Sequence, residues 1–302
     1  MRTRPLSLAT CLLTATCLIA AAPSQQRDFS EVQIETLEVA DGIYMLVGAG
    51  GNIGLSVGED GPFVVDDQFA PLTDKIKAAI AAVTDGEVRF VLNTHWHGDH
   101  TGGNENFGQA GALIVAHRNV RKRMNPEEFT EVMGRTQQAP SAALPLVTFS
   151  DEVTLYWNGE KIRAQHVEHA HTDGDTIIWF THANVVHMGD TFFNARYPFI
   201  DIDSGGNLNG VIAAAEAVLA GADADTKIIP GHGELAGVEA LQKYHDVLVL
   251  ARDRVSALID EGKSLEQIIE AKPMAEYDEG WGSGFINGER FLAAVHRSLT
   301  GS

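Results

Sequence analysis

Apolar and polar positions between residues 34 and 67 alternate in short runs broken by turn residues. Ile43–Val47, Ile53–Val57 and Phe63–Val65 are rich in β-branched and aromatic side chains, and Gly48–Gly51 and Glu59-Asp60-Gly61 separate them. That spacing predicts consecutive strands in an antiparallel meander. From Leu72 to Val83 the period changes: Leu72, Ile76, Ala79, Ile80 and Val83 recur at helical intervals. A helix between two strands makes a crossover, so the sheet is predicted to be mixed. A buried strand over Val88–Val91, a helix starting near Asn104, a strand over Ala112–Val115 and a basic helix around Asn119–Met124 follow. Residues 125–145 carry three prolines and few large apolar groups, a loop with one short helix and a candidate rim for a pocket. Strands resume from Leu146 to Phe193, with a hairpin turn at Asn158-Gly159. Helices then dominate, over Val211–Leu219, Leu241–Ile259, Leu265–Ala271 and Phe291–Leu299, interrupted by a strand at Lys227–Ile229. Each half runs strands and then crossover elements, the order required by two mixed sheets face to face with helices outside.

Within this pattern one stretch carries the chemistry. His95-Trp96-His97-Gly98-Asp99-His100 places three histidines and an aspartate in six residues at the end of a predicted strand. Imidazole and carboxylate are zinc ligands. On extended backbone, residues two apart point the same way, so His95 and His97 can grip one ion. Gly98 permits the chain to turn, and Asp99 and His100 then face a second ion, as in two-metal hydrolytic sites. Gly102 and Gly103 allow tight packing behind the loop.

His95-x-His97-x-Asp99-His100 resembles the signature of the metallo-β-lactamase superfamily. Three further blocks resemble that family's later ones in the same order: His171-Thr172-Asp173-Gly174, Gly189-Asp190-Thr191-Phe192-Phe193 and Pro230-Gly231-His232-Gly233. The resemblance implies a four-layer αβ/βα sandwich, of class α/β (α+β). It also implies two Zn²⁺ ions, one held by His95, His97 and His171, the other by Asp99, His100 and His232, with Asp190 bridging. Asp66, at the end of the Phe63–Val65 strand, reads either as the family's aspartate that orients a metal-bound histidine or as a cap at a turn. His169 lies two before His171 and reads as an outer partner or as unrelated. His117 reads as structural, and His166, His182, His187, His245 and His296 have no partner in view. With two carboxylates in the set, iron or manganese is possible at one position.

Composition narrows the setting. Hydrophobic content of 44% with 21% charged residues is that of a soluble globular chain, and one domain over residues 25–302 is expected because the ligands from 95 to 232 must converge. Arg2 and Arg4 precede an apolar, small-residue run from Leu6 to Ala22, so residues 1–24 read as a secretory signal and the mature protein as periplasmic or secreted. The run is too short for a membrane span, and no stable membrane insertion is expected after cleavage at Ala20-Ala21-Ala22 or Ala22-Pro23-Ser24. Cys11 and Cys17 both lie inside the signal, which leaves no thiolate ligands. Beyond the signal stand 20 basic and 41 acidic side chains, a formal charge of −21 that repels polyanions and excludes nucleic-acid partners. The sequence specifies no oligomeric state.

The expected function is therefore a dizinc hydrolase of small molecules, in which a metal-bound hydroxide, oriented by Asp99, attacks a cyclic amide or ester. β-Lactams lead because the protein is exported. A bridging aspartate at 190 is what lactonase, glyoxalase and phosphodiesterase-like relatives carry, so a lactonase or arylesterase with side activity on phosphotriesters is the alternative. Little basic character near the C-terminus argues against glutathione substrates, and His97 argues against the diiron flavoprotein branch. A zinc-holding accessory protein of an exported redox or sulfur pathway is the non-enzymatic alternative. The 197–207 loop combines aromatic groups with a glycine pair. Tyr197 and Phe199 from it, with Trp96, are the candidate pocket residues, and for Trp96 and Trp281 alike core packing is weighed ahead of the pocket.

Overall fold

Strand alternation accounts for the layers. A computed structural model describes residues 28–125 and 139–301, so the expected signal and most of the predicted 125–145 loop lie outside the described residues. Strands β1 (Glu35–Ala40), β2 (Ile43–Val47), β3 (Ile53–Ser56), β4 (Phe63–Val65), β5 (Phe90–Asn93), β6 (Leu113–His117) and β7 (Val147–Phe149) form a sheet in sequence order. β2, β3 and β4 pair antiparallel as the predicted meander, β1 adds an edge strand that was not predicted, and β4 to β7 pair in parallel. β8 (Glu152–Trp157), β9 (Glu160–His166), β10 (Thr176–Phe180), β11 (Val185–His187), β12 (Lys227–Ile229) and β13 (Ala236–Gly237) form the second sheet, in which only β11 and β12 run parallel.

Successive residues of a strand face opposite sides of its sheet. Phe63, Val65, Leu92 and Val115 meet Ile162, Ile178, Val185 and Ile229 in a cluster between the sheets. Their neighbours Val64, Val91 and Ile114 turn outward against Leu72, Ile76 and Ile80 and against Phe107. These last belong to α1 (Thr73–Ala81), with the turn before it, and to α3 (Asn104–Gln109), which follows the one-turn α2 (Gly98–Thr101). On the other side Ile177, Val186 and Ile228 pack under α5 (Leu208–Gly221), α6 (Val238–Asp260) and α9 (Gly288–Thr300). Helix, sheet, sheet, helix is the four-layer sandwich. α4 (Arg118–Met124) and α7 (Leu265–Ala271) fall where predicted. The short α8 (Ala275–Trp281) and the two-residue β13 were not legible, since neither supplies a full period.

The consequence for the site is positional. β4 with β5, and β11 with β12, are the parallel pairs whose carboxyl ends carry Asp66, the His95–His100 loop, Asp190 and His232. Ligands in open α/β sheets gather outside the carboxyl ends of parallel strands, because the connecting loops converge there.

Candidate metal centre

Four loops deliver the predicted ligands to one point. His95 Nε2 and His171 Nε2 lie 3.1 and 2.8 Å from His97 Nδ1. Asp190 Oδ2 lies 3.9 Å from His95 Nε2 and 3.5 Å from His171 Nε2. The same oxygen is 3.4 Å from His232 Nε2, and Asp190 Oδ1 is 3.0 Å from His100 Nε2. Asp99 Oδ2 stands 3.4 Å from His232 and 3.8 Å from His100. His95, His97, His171 and Asp190 thus form one group, Asp99, His100 and His232 a second, and the Asp190 carboxylate reaches both.

The outer face of each ring assigns its tautomer. A carbonyl only accepts, so His171 Nδ1–H donates to Phe199 O at 2.7 Å. His97 Nε2–H donates to Asp201 Oδ2 at 2.9 Å, and His100 Nδ1–H to Asp66 Oδ2 at 2.7 Å. Thr94 Oγ1 gives its proton to Asp66, at 2.7 Å, and so accepts from His95 Nδ1–H at 3.0 Å. The imidazoles of His95, His97 and His171 therefore turn lone pairs inward, onto one another and toward the Asp190 carboxylate. His100 Nε2 and Asp190 Oδ1 are both buried and face each other at 3.0 Å, with no well-directed hydrogen bond to either among the described residues. Neutral lone pairs packed this closely repel, and only a cation among them makes the arrangement favourable. The donor set fits divalent metal.

Electrostatics agree. Burial drives the pKa of His95 well below 6.5 and that of His171 down to about 4, so both are ready ligands. Burial also opposes charge on His232 and His100, but the surrounding carboxylates together outweigh it, Asp190, Asp66 and Asp99 at His100 and Asp190 with Asp99 at His232. Both are therefore raised, His232 to about 9, and a proton stands on these rings until a metal displaces it. Asp99 is held at about 2: burial works against its charge, and His100 and His232 prevail.

Backbone accommodations keep the loops in register. Gly189, at φ +52°, lies where a Cβ would meet Thr94 Cβ at 2.6 Å, and Gly231 where it would meet Asp190 Oδ1 at 2.1 Å. Asn52 ties the loops together: its Nδ2 donates to Pro230 O and Gly233 O, and its carbonyl accepts from His187 Nε2. The other nitrogen of His187 accepts from Gly189 N. His187, assigned no partner from sequence, thus fixes the turn that presents Asp190.

The remaining residues singled out from sequence divide, some corrected and some as expected. Gly98 has an ordinary negative φ and a Cβ there would meet nothing within 4 Å, so the turn does not need glycine. It lines the cavity instead. Trp96 is not in the cavity; its ring packs beside His97 with the Arg123 guanidinium 5.9 Å away. On a turning backbone Trp96 points away from the face its two neighbouring histidines share. Trp281 is buried core beside Tyr244. His169, exposed at φ +49°, bonds Gly205 O rather than a ligand. His166 stacks on His117 at 3.7 Å.

A cavity of about 590 Å³ opens over the centre, walled by Asp99, Asp190 and His232 on one side and by Phe69, Phe193 and Phe199 on the other. Tyr197 lines it as well, although its hydroxyl is turned into the core toward Asp278 Oδ1, 3.0 Å away. The described flank of the predicted rim, residues 139–145, lines none of it; Gly284, Phe285 and Ile286 do. Asp201 and Arg196 were missed. Asp201 lay in the loop singled out from sequence, but nothing local marked it as the partner of His97. Arg196 is exposed at the cavity wall and forms no ion pair among the described residues.

The metallo-beta-lactamase superfamily sequence model matches residues 47–232, which contain all seven converging side chains. Two hydroxyacylglutathione hydrolases are similar over part of their length. That of Anaeromyxobacter dehalogenans (strain 2CP-C) is 30% identical over 118 residues, 37% of this chain and 42% of the relative. That of Polaromonas sp. (strain JS666 / ATCC BAA-500) is 27% identical over 163 residues, 54% of this chain and 55% of the relative. The chain therefore spans about half the length of these curated relatives. Among solved structures, DIM-1 metallo-beta-lactamase superposes with a TM-score of 0.59 at 18% identity, covering 73% of this chain and 100% of that one. The sec-alkylsulfatase Pisa1 from Pseudomonas sp. superposes at 0.67 and 16% identity, covering 89% of this chain and 50% of that one. Sequence blocks, sandwich topology and converging ligands agree, and the chain belongs to the metallo-β-lactamase superfamily of hydrolases.

Proposed function

We propose that this hydrolase cleaves carboxylic esters, cyclic esters foremost, at a centre of two divalent cations, zinc by preference. The observation that carries the reading is the Asp190 carboxylate within 3.9 Å of a ligand nitrogen in each group, at the floor of a largely apolar cavity. Cations bound there supply Lewis acidity and lower the pKa of water to about 7. His95, His97, His171 and His100 would hold them through nitrogens oriented by outer hydrogen bonds, with His232 completing the set. Asp99, ionised at the cavity wall, accepts a hydrogen bond from the attacking water and orients it. Phe69, Phe193 and Phe199 exclude bulk solvent, which strengthens every charge interaction inside. The shared carboxylate adds negative charge between the cations and weakens the field available to a departing amide nitrogen. That favours alkoxide leaving groups and places esters ahead of β-lactams.

β-Lactam hydrolysis is the second reading, favoured by Arg196, an unpaired cation at the cavity wall suited to a substrate carboxylate. Export through residues 1–24 belongs to the same proposal. Turnover of an acyl lactone, an aryl ester, a chromogenic cephalosporin and a phosphotriester by zinc-loaded protein tests the order. Ester turnover well above cephalosporin turnover supports the first reading, and the reverse supports the second. Stoichiometric metal with no turnover of any of the four would leave the accessory-protein alternative.

A further inference from the structure

Beyond the cavity over the metal centre lies a second one of about 300 Å³, between the 198–202 segment and the first turns of α9. The two share Phe199, Phe285 and Ile286, so they adjoin across an aromatic partition. The rings of Phe199 and Phe285 meet edge-on at 5.9 Å. Phe199 also stacks on the His97 ring at 5.7 Å, so the partition begins at the metal centre itself. The walls of the second chamber are Ile200, Ile202, Ala293 and Ala294, with no carboxylate, amide or hydroxyl side chain among them. Two arginines complete it, but their heads are engaged elsewhere. Arg297 pairs with Asp203 at 2.6 Å, and Arg290 donates to Phe285 O and lies 5.7 Å from the Phe285 ring. What they offer the chamber is the aliphatic stem. Phe285 is 76% exposed, so packing of the core does not account for its position, whereas a wall shared by two chambers does.

We propose that this second chamber is a subsite for the unbranched aliphatic chain of an acyl substrate, whose carbonyl lies over Asp190 and whose chain crosses Phe199 toward Ala293. The inference rests on the ester-hydrolase reading. It names the substrate class: medium-chain acyl esters and acyl-substituted lactones, not peptide-like thiol conjugates. A glutathionyl group carries two carboxylates and an ammonium, and in this chamber it would lose its hydration without gaining a partner.

The test is a chain-length series. With zinc-loaded protein, kcat/KM for aryl esters from acetyl to decanoyl is expected to rise about two- to fourfold per methylene until the chamber is full, then to level off. Ala293→Trp fills the chamber and is expected to flatten the series. Ala293→Leu, milder for folding, is expected to shorten the chain length at which the rise stops. Binding of saturated carboxylates from butyrate to decanoate, followed by calorimetry, reads the chamber without turnover. A chain-length dependence of Kd in wild type that Ala293→Trp abolishes supports the subsite even if no ester is cleaved, in which case only the ester-hydrolase reading fails. A flat series in wild type, or an undiminished slope in Ala293→Trp, overturns the proposal.

Discussion

At Asp201 a carboxylate 104 residues beyond His97 decides which nitrogen of that ring faces inward. Removing such an outer partner costs 10- to 100-fold in metal affinity in comparable sites. Asp201→Ala is expected to weaken the first metal position by about that factor, read by chelator competition, with the second equivalent little changed. Gly231→Ala acts through space instead. Its Cβ would fall 2.1 Å from Asp190 Oδ1 and 2.6 Å from Gly189 O, so the Asp190 turn or the His232 loop must shift. Displacements near 1 Å cost about 100-fold in turnover, and a loss of that order with circular dichroism unchanged is the expected result. These two residues also mark the limit of what could be read from sequence. His95 to His100 declared themselves because four ligands fall within one loop, and spacing alone separated them into two groups. Asp201, Asn52 and His187 act through folds of the backbone that bring distant loops together, which no local pattern records. Trp96 was a pocket candidate only because of its neighbours in sequence, and its own side-chain direction takes it out of the cavity.

Among the elements, the strand ends position chemistry and the helices hold the strands. His117 closes β6 and His166 closes β9, and the two rings lie parallel at 3.7 Å. Burial, then His166 and Arg118, depress His117 to about 4 from the ordinary 6.5, against a smaller opposing pull from Asp173; burial also lowers His166. Between pH 6.5 and 4 the unfolded chain therefore binds more protons at this pair than the folded one. Stability rises with pH across that window and falls as the pH drops through it. Urea midpoints at pH 7 and pH 5 are expected to show wild type losing stability on acidification and His166→Gln losing less. α7 offers a control remote from the site. Its capping box, Ser264 with Gln267, was not read from sequence although its 265–271 span was. Ser264→Ala is expected to cost about 1 kcal/mol in stability with turnover unchanged. Long apolar periods made α1, α5, α6 and α9 predictable to within a few residues at their ends. α8 escaped because within its seven residues only Trp281 is buried, packed against Tyr197 and Tyr244 from other parts of the chain, too short a span to show a period.

For the whole molecule, the sandwich explains why residues so far apart in sequence can form one centre. The parallel pairs β4 with β5 and β11 with β12, one in each sheet, end at the edge where the cavity opens. A formal charge of −19 on the full chain, together with a cavity floor of aspartates, makes bound divalent cations the local counter-charge. The architecture was legible because period-2 strands and crossover helices left one packing solution; the second cavity was not, because it is made where the 198–202 loop meets α9. The most direct measurement of the central claim is the metal-to-protein ratio, taken with turnover of an acyl lactone, for wild type, His95→Ala and His245→Ala. The account predicts two equivalents in wild type, loss of metal and at least 100-fold of turnover in His95→Ala, and no change in His245→Ala, whose ring bonds only Glu216, Asp246 and Gln242 on the surface. Equal metal content and equal turnover in the two variants would contradict it.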